Sequence, residues 1–151
     1  MQKSKILAGL SIVAGLGVVL SGAAVGQDAI AKRKAIMKSV GGATKTGGQM
    51  AKGEIPFDAA KAKESMSTIA NGWAEFATLY PKGTETGGET TAAPKIWETF
   101  DDFDSKGKAM AASAAKAATA ASGGLDAFKV SFGEVTKSCK SCHDSYRVKK
   151  N

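Results

Sequence analysis

Cysteine and histidine are nearly absent from this chain, two of the first and one of the second in 151 residues, and that scarcity excludes several chemistries. A structural zinc site wants three or four Cys, His or carboxylate ligands at finger spacing, which so few donors cannot complete. Strand-type alternation of apolar and polar residues is also missing, and with it the βαβ setting in which a thioredoxin-like C-x-x-C pair works. Basic residues are spread along several segments among acids, with no aromatic-interleaved stripe, so nucleic-acid binding is a poor reading. The uncharged apolar run Ile6 to Leu20 falls short of the roughly 20 residues that a membrane-spanning helix prefers. No cysteine sits near the end of that run, which argues against a lipid anchor.

Both cysteines and the histidine fall in one pentad, Cys139-Lys140-Ser141-Cys142-His143. Its plain reading is covalent attachment of one haem c: two thiols add across the two vinyl groups, and the adjacent imidazole ligates iron from one side. On a helix, positions i, i+3 and i+4 share a face, so Cys139, Cys142 and His143 can reach one ring.

The N-terminus supplies the compartment this chemistry needs. Lys3 and Lys5 precede the apolar run, and Ala24-Val25-Gly26 offers small residues for cleavage, the pattern of a secretory signal peptide over residues 1–26. The expectation is a periplasmic mature chain, residues 27–151, with no stable membrane anchor. Removing Lys3 and Lys5 lowers the formal charge from +7 to +5, and two haem propionates bring it nearer +3. Lys137, Lys140, Arg147, Lys149 and Lys150 surround the pentad. Such a rim can steer acidic redox partners in a salt-dependent way, although a solvated helix face with a basic tail has the same look.

A mature chain of this length fits one domain with a single core. Met66, Ile69, Trp73, Phe76 and Tyr80 step by three and four, as one helical seam. Ile96, Phe100, Phe103, Gly107, Met110, Ala114, Ala117 and Ala121 make a second, the alanines being read as tight packing. Leu125, Phe128, Phe132 and Val135 make a third, whose register continues through Cys139, Cys142 and Tyr146. Pro56 and Pro94 stand where helix starts tolerate proline, Gly123-Gly124 separates the last two segments, and Tyr80 to Ala93 reads as the long loop. The first mature segment, Asp28 to about Lys52, carries four costly glycines, yet Ile30, Arg33, Met37, Val40, Thr44, Gly47 and Ala51 keep the helical stepping. The predicted fold is all-α, an antiparallel four-helix bundle with covalently bound haem c between facing helices.

Two residues of the first helix stand out in this register. Arg33 falls on the seam, where a guanidinium needs an anion. A haem propionate is the natural one, and snorkelling to water is the alternative. Met37, one turn on, is either a sixth iron ligand opposite His143 or a core methionine filling space over the ring. Met50, Met66 and Met110 are expected in the core. Asp101, Asp102 and Asp104 could be offered as catalytic carboxylates, but their spacing around Phe100 and Phe103 reads as a solvated helix face.

At this point the chain resembles the class II c-type cytochromes, the cytochromes c′ and their low-spin relatives, over essentially all of residues 28–151. The resemblance rests on the C-terminal pentad followed by Tyr146-Arg147, on Arg33-Lys34-Ala35-Ile36-Met37, on Lys52-Gly53 leading to Pro56-Phe57-Asp58-Ala59-Ala60, and on Pro94-Lys95-Ile96-Trp97. It implies a left-handed bundle, His143 as proximal iron ligand, Arg33 beside a propionate and Met37 on the distal side. The expected protein is a periplasmic electron carrier rather than an enzyme, low-spin, with His143/Met37 ligation. The alternative is a high-spin five-coordinate cytochrome c′ that binds NO or CO. Thioether attachment would exclude a thiol-disulfide enzyme. The family also includes homodimers joined through the first two helices.

Overall fold

The structure, a computed structural model, describes residues 21–148. Helices α1 (Ser21–Lys52), α2 (Ala59–Phe76), α4 (Phe100–Ala120) and α5 (Leu125–Tyr146) pack as an antiparallel four-helix bundle, and a single turn, α3 (Lys95–Glu98), precedes α4. Residues 1–20 of the expected signal peptide lie outside the described residues; its expected cleavage point falls in the first turns of α1. Among the described residues no helix is long and apolar enough to cross a membrane.

Local chemistry sets the helix ends. Gly53 takes φ +75°, its N–H donates to the Met50 carbonyl and that of Glu54 to the Gln49 carbonyl. This is the glycine-closed Schellman ending, and it stops α1 at Lys52 despite the helical run before it. Asp58, in extended backbone, accepts the Lys61 N–H at 2.8 Å and opens α2. Gly124, at φ +92°, turns the chain between α4 and α5.

The seams become the buried faces. Met66, Ile69, Trp73 and Phe76 of α2, Phe103, Met110, Ala114 and Ala117 of α4, and Phe128, Phe132 and Val135 of α5 are all buried. Met50 and Met66 have no exposure at all. On α1, Ile30, Arg33, Val40 and Gly47 turn inward, with Met37 and Thr44 half-buried. Gly107 is required where it stands: a Cβ there would lie 1.9 Å from the Trp73 ring. The glycine lets the indole lie flat on α4.

The second seam, Ile96 to Ala121, is not one helix, which corrects the sequence reading. Thr99, at φ −134° and ψ 51°, ends α3 and begins α4 anew. Its hydroxyl donates to the Lys95 carbonyl and meets the Tyr146 hydroxyl, each at 3.0 Å. A β-branched residue whose side chain bonds the preceding turn competes with helix continuation. The break rotates Phe100 off the seam, leaving it 39% exposed while Ile96 and Phe103 stay buried. The residue 77–94 segment then runs back over the end of α5. Ala92 and Arg147 pair antiparallel, Ala93 N–H donates to the Tyr146 carbonyl and Val148 N–H to that of Thr91.

Candidate haem site

α5 presents Cys139, Cys142 and His143 on one face, as their spacing requires, and all three line a cavity of about 850 Å³. α1 contributes Arg33 and Met37 to the opposite wall, and Trp73, Phe76 and Met110 close the interior. The volume lies in the upper range for cofactor pockets, and the mixture of an apolar interior with a few convergent polar groups is typical of them. Every site residue expected from the sequence therefore borders one space.

Cys139 and Cys142 are half-buried and not joined to each other as a disulfide. Burial pushes both above the ordinary thiol range, Cys142 being raised further by Cys139 beside it. Thiols held protonated are poor attackers in disulfide exchange. His143 stands exposed at the cavity mouth. Desolvation of part of its ring, with a smaller contribution from nearby Arg147, holds the imidazole below its ordinary range and hence neutral. A neutral imidazole is the form that can ligate metal.

Arg33 is the most unusual group in the site. It is 5% exposed, its Nη2 donates to the Thr84 carbonyl at 2.8 Å, and its Nε and Nη1 have no partner. The guanidinium stacks over Tyr80, 4.7 Å from the ring centre, and Trp97, at 5.5 Å. Trp97 fixes that shelf by donating its Nε1–H to the Tyr80 carbonyl at 3.0 Å. Tyr80 itself is pushed far above the ordinary phenol range by burial, against the opposing pull of Arg33, and stays neutral. The guanidinium thus keeps its charge with no anion in hydrogen-bond contact, Glu85 acting on it only at a distance. Two buried donors aimed into a cavity fit an acidic substituent of a bound group.

Tyr80, Thr84 and Trp97 were not singled out as site residues from sequence. Trp97 stood in a recognisable Pro94-Lys95-Ile96-Trp97 run, but Thr84 acts through a loop carbonyl, which leaves no side-chain signal. The Asp101–Asp104 stretch also does more than face solvent. Asp102 accepts from the Tyr146 hydroxyl and from Lys106, and Asp104 accepts from Trp73 Nε1 at 3.2 Å. Both are tethers for residues that line the cavity. Of the basic rim, Lys137 pairs with Glu134 and Lys140 with Asp144. Arg147 borders the cavity with Lys34 and Lys38, and Lys149 and Lys150 lie outside the described residues.

A four-helix bundle with C-x-x-C-H on its last helix, facing a cavity with an anion-seeking arginine, defines a class II c-type cytochrome. The comparisons agree. The sequence profile of the family described as Cytochrome C′ matches residues 28–147. Cytochrome c′ of Rhodopseudomonas palustris is 44% identical over 146 residues, 94% of this chain and 97% of the relative. Cytochrome c-556 of Agrobacterium fabrum is 36% identical over 138 residues, 89% and 90% of the two chains. The solved structure of the Rhodopseudomonas palustris cytochrome c′ superposes with a TM-score of 0.78 at 42% identity, covering 82% of this chain and 98% of that one. The chain belongs to the cytochrome c′ family, electron-transfer proteins that carry one covalent haem c. The two cysteines and the unpaired donors of Arg33 fit that group.

Proposed function

We propose that this chain is a periplasmic haem protein of the high-spin cytochrome c′ kind, with iron held on one side by His143 and the other side open to NO or CO. The observation that carries the haem assignment is the single cavity bordered by both thiols, the imidazole and Arg33. The 44% identity to a protein named cytochrome c′ favours the open distal site over the six-coordinate form expected from the sequence. Haem bound here would supply one-electron Fe(III)/Fe(II) exchange and a binding position for a neutral gas.

The chain's own residues hold and shield that chemistry. Cys139 and Cys142 form the thioethers, so neither remains available for disulfide exchange. His143, neutral at the mouth, offers a nitrogen lone pair as proximal ligand. Arg33 directs Nε and Nη1 at a propionate while Thr84 and the Tyr80–Trp97 shelf keep it in place. Trp73, Phe76 and Phe103 exclude water from the interior. Lys34, Lys38 and Arg147 border the mouth, where they would receive an acidic redox partner of a haem that exchanges electrons and turns over no substrate.

Met37 supports a second reading. It is half-buried on the α1 wall of the same cavity, and a thioether there can close the sixth position. The optical spectrum of the reduced holoprotein with carbon monoxide separates the two. Broad high-spin bands that shift with carbon monoxide support the open site. Sharp split α and β bands that ignore the gas, and that are lost in Met37→Ala, establish His143/Met37 ligation instead.

A further inference from the structure

A second cavity, about 570 Å³, lies beside the haem site between α1 and α5. Gly41, Thr44 and Thr136 border both spaces, so the two adjoin where α1 presents a glycine. Gly41 is exposed and a Cβ built on it would find nothing within 4 Å, so a larger side chain can be placed at the junction without a clash. α1 leans chiefly on α2 and touches α5 less, which leaves this seam of the bundle parted.

The chemistry of the junction is selective. Thr44 donates its hydroxyl to the Val40 carbonyl at 2.8 Å, and Thr136 donates to that of Gly133 at 2.9 Å. Both hydroxyl protons are therefore committed to their own helices, and neither threonine offers an anion a hydroxyl donor. Phe132 borders the outer space, close against Gly47 and Gly48. Lys45, Lys52 and Glu54 stand only around this outer groove. Along α1 the face steps Arg33, Met37, Gly41, Thr44, Gly48, so Gly41 lies one turn beyond Met37 on the same side. The junction adjoins the wall on which Met37 sits.

We infer that the gap at Gly41, Thr44 and Thr136 is the passage by which a small neutral diatomic gas enters the cavity on the Met37 side. The inference rests on the open-site reading above. It assigns the parted α1–α5 seam a function distinct from the mouth at Arg147, where electrons exchange.

The test uses the full holoprotein, with carbon monoxide and xenon as probes. Gly41→Leu and Thr136→Leu obstruct the junction from either helix. Gly42→Leu is the control, since a Cβ there also meets nothing within 4 Å yet Gly42 borders neither space. Flash photolysis of the reduced carbon monoxide complex should show association and dissociation slowed severalfold in Gly41→Leu and Thr136→Leu. The equilibrium affinity and optical spectrum should be unchanged, because obstruction of a route alters both rates alike. Gly42→Leu should match the parent. Equal rates in all four proteins, or an equal slowing in the control, would overturn the passage. Failure of the parent to bind carbon monoxide would instead remove the open-site reading. Xenon-pressurised crystals then decide the passage: xenon beside Gly41 and Thr136 supports it, and an empty groove sinks it.

Discussion

Among the described residues, Arg33 is the one whose buried side chain leaves polar atoms without partners. Its Nε and Nη1 are buried without partners, and a cation so placed favours ionisation of a neighbouring carboxylate. A propionate held there should stay charged through the neutral range, which keeps the reduction potential flat with pH. In Arg33→Met the carboxylate pKa rises. Reduction removes a positive charge from the iron and so favours proton uptake, making the midpoint potential fall with rising pH across that pKa. Arg33→Lys should restore the flat profile. Redox titration against pH checks this, and an unaltered profile in Arg33→Met would place the propionate elsewhere. The glycines give a second contrast at this scale. Gly42→Ala meets open space and should stabilise the bundle by about 0.5–1 kcal/mol through helix propensity. Gly107→Ala drives a methyl to within 1.9 Å of the Trp73 indole and should destabilise by about 1–3 kcal/mol or more through overpacking. Thermal melts of the two variants should move in opposite directions.

At the scale of elements, α5 carries the Cys139–His143 pentad and the rest of the fold pins its end. Tyr146 is 3% exposed and donates its hydroxyl to Asp102 on α4; its carbonyl accepts from Ala93. Hydrogen bonds from Lys106, then Tyr146, hold the Asp102 carboxyl below its ordinary range. A lowered folded pKa means stabilisation that is complete above the unfolded value, about 3.9, and lost as pH falls through the folded one. Melting temperatures of the parent and Asp102→Asn holoproteins should therefore differ at neutral pH and converge in strong acid. The gap should be small because Asp102 is exposed; parallel curves down to the lowest pH would refute the latch. This latch also marks where sequence reading stopped. Met66, Ile69, Trp73 and Phe76 announced their buried face by spacing alone, and Cys139, Cys142 and His143 announced their shared, cavity-lining face by chemistry and spacing together. Thr99 gave no such sign, because its hydroxyl bond to the Lys95 carbonyl is one that a threonine inside a continuous helix also makes, as Thr44 does to Val40. The Arg33–Thr84 bond and the Ala92–Arg147 pairing use backbone atoms brought together only by folding. Periodicity records which face a residue shows, not what waits opposite.

For the molecule as a whole, charge and cavity position together govern encounter. Residues 27–151 carry a formal charge of +5 before the haem propionates, and the mouth is bordered by Lys34, Lys38 and Arg147, with Glu89 as the local acid, 3.5 Å from Lys34. The ion pairs of Lys137 and Lys140 are exposed and contribute little to stability, so they leave the long-range field largely a matter of net charge. Exposed charges are screened over about 8 Å at physiological ionic strength, and steering by such a field changes association rates more than final affinity. Electron exchange with an acidic protein should therefore slow as salt rises, whereas exchange with a small neutral reductant should hold steady. Lys38→Glu combined with Arg147→Glu should flatten the salt dependence with the acidic partner while leaving the optical spectrum as it was. Stopped-flow rates over a range of ionic strength measure it directly. A salt-independent rate in the parent would mean that the basic residues at the mouth are only a solvated face, and that partners find the haem edge by shape alone.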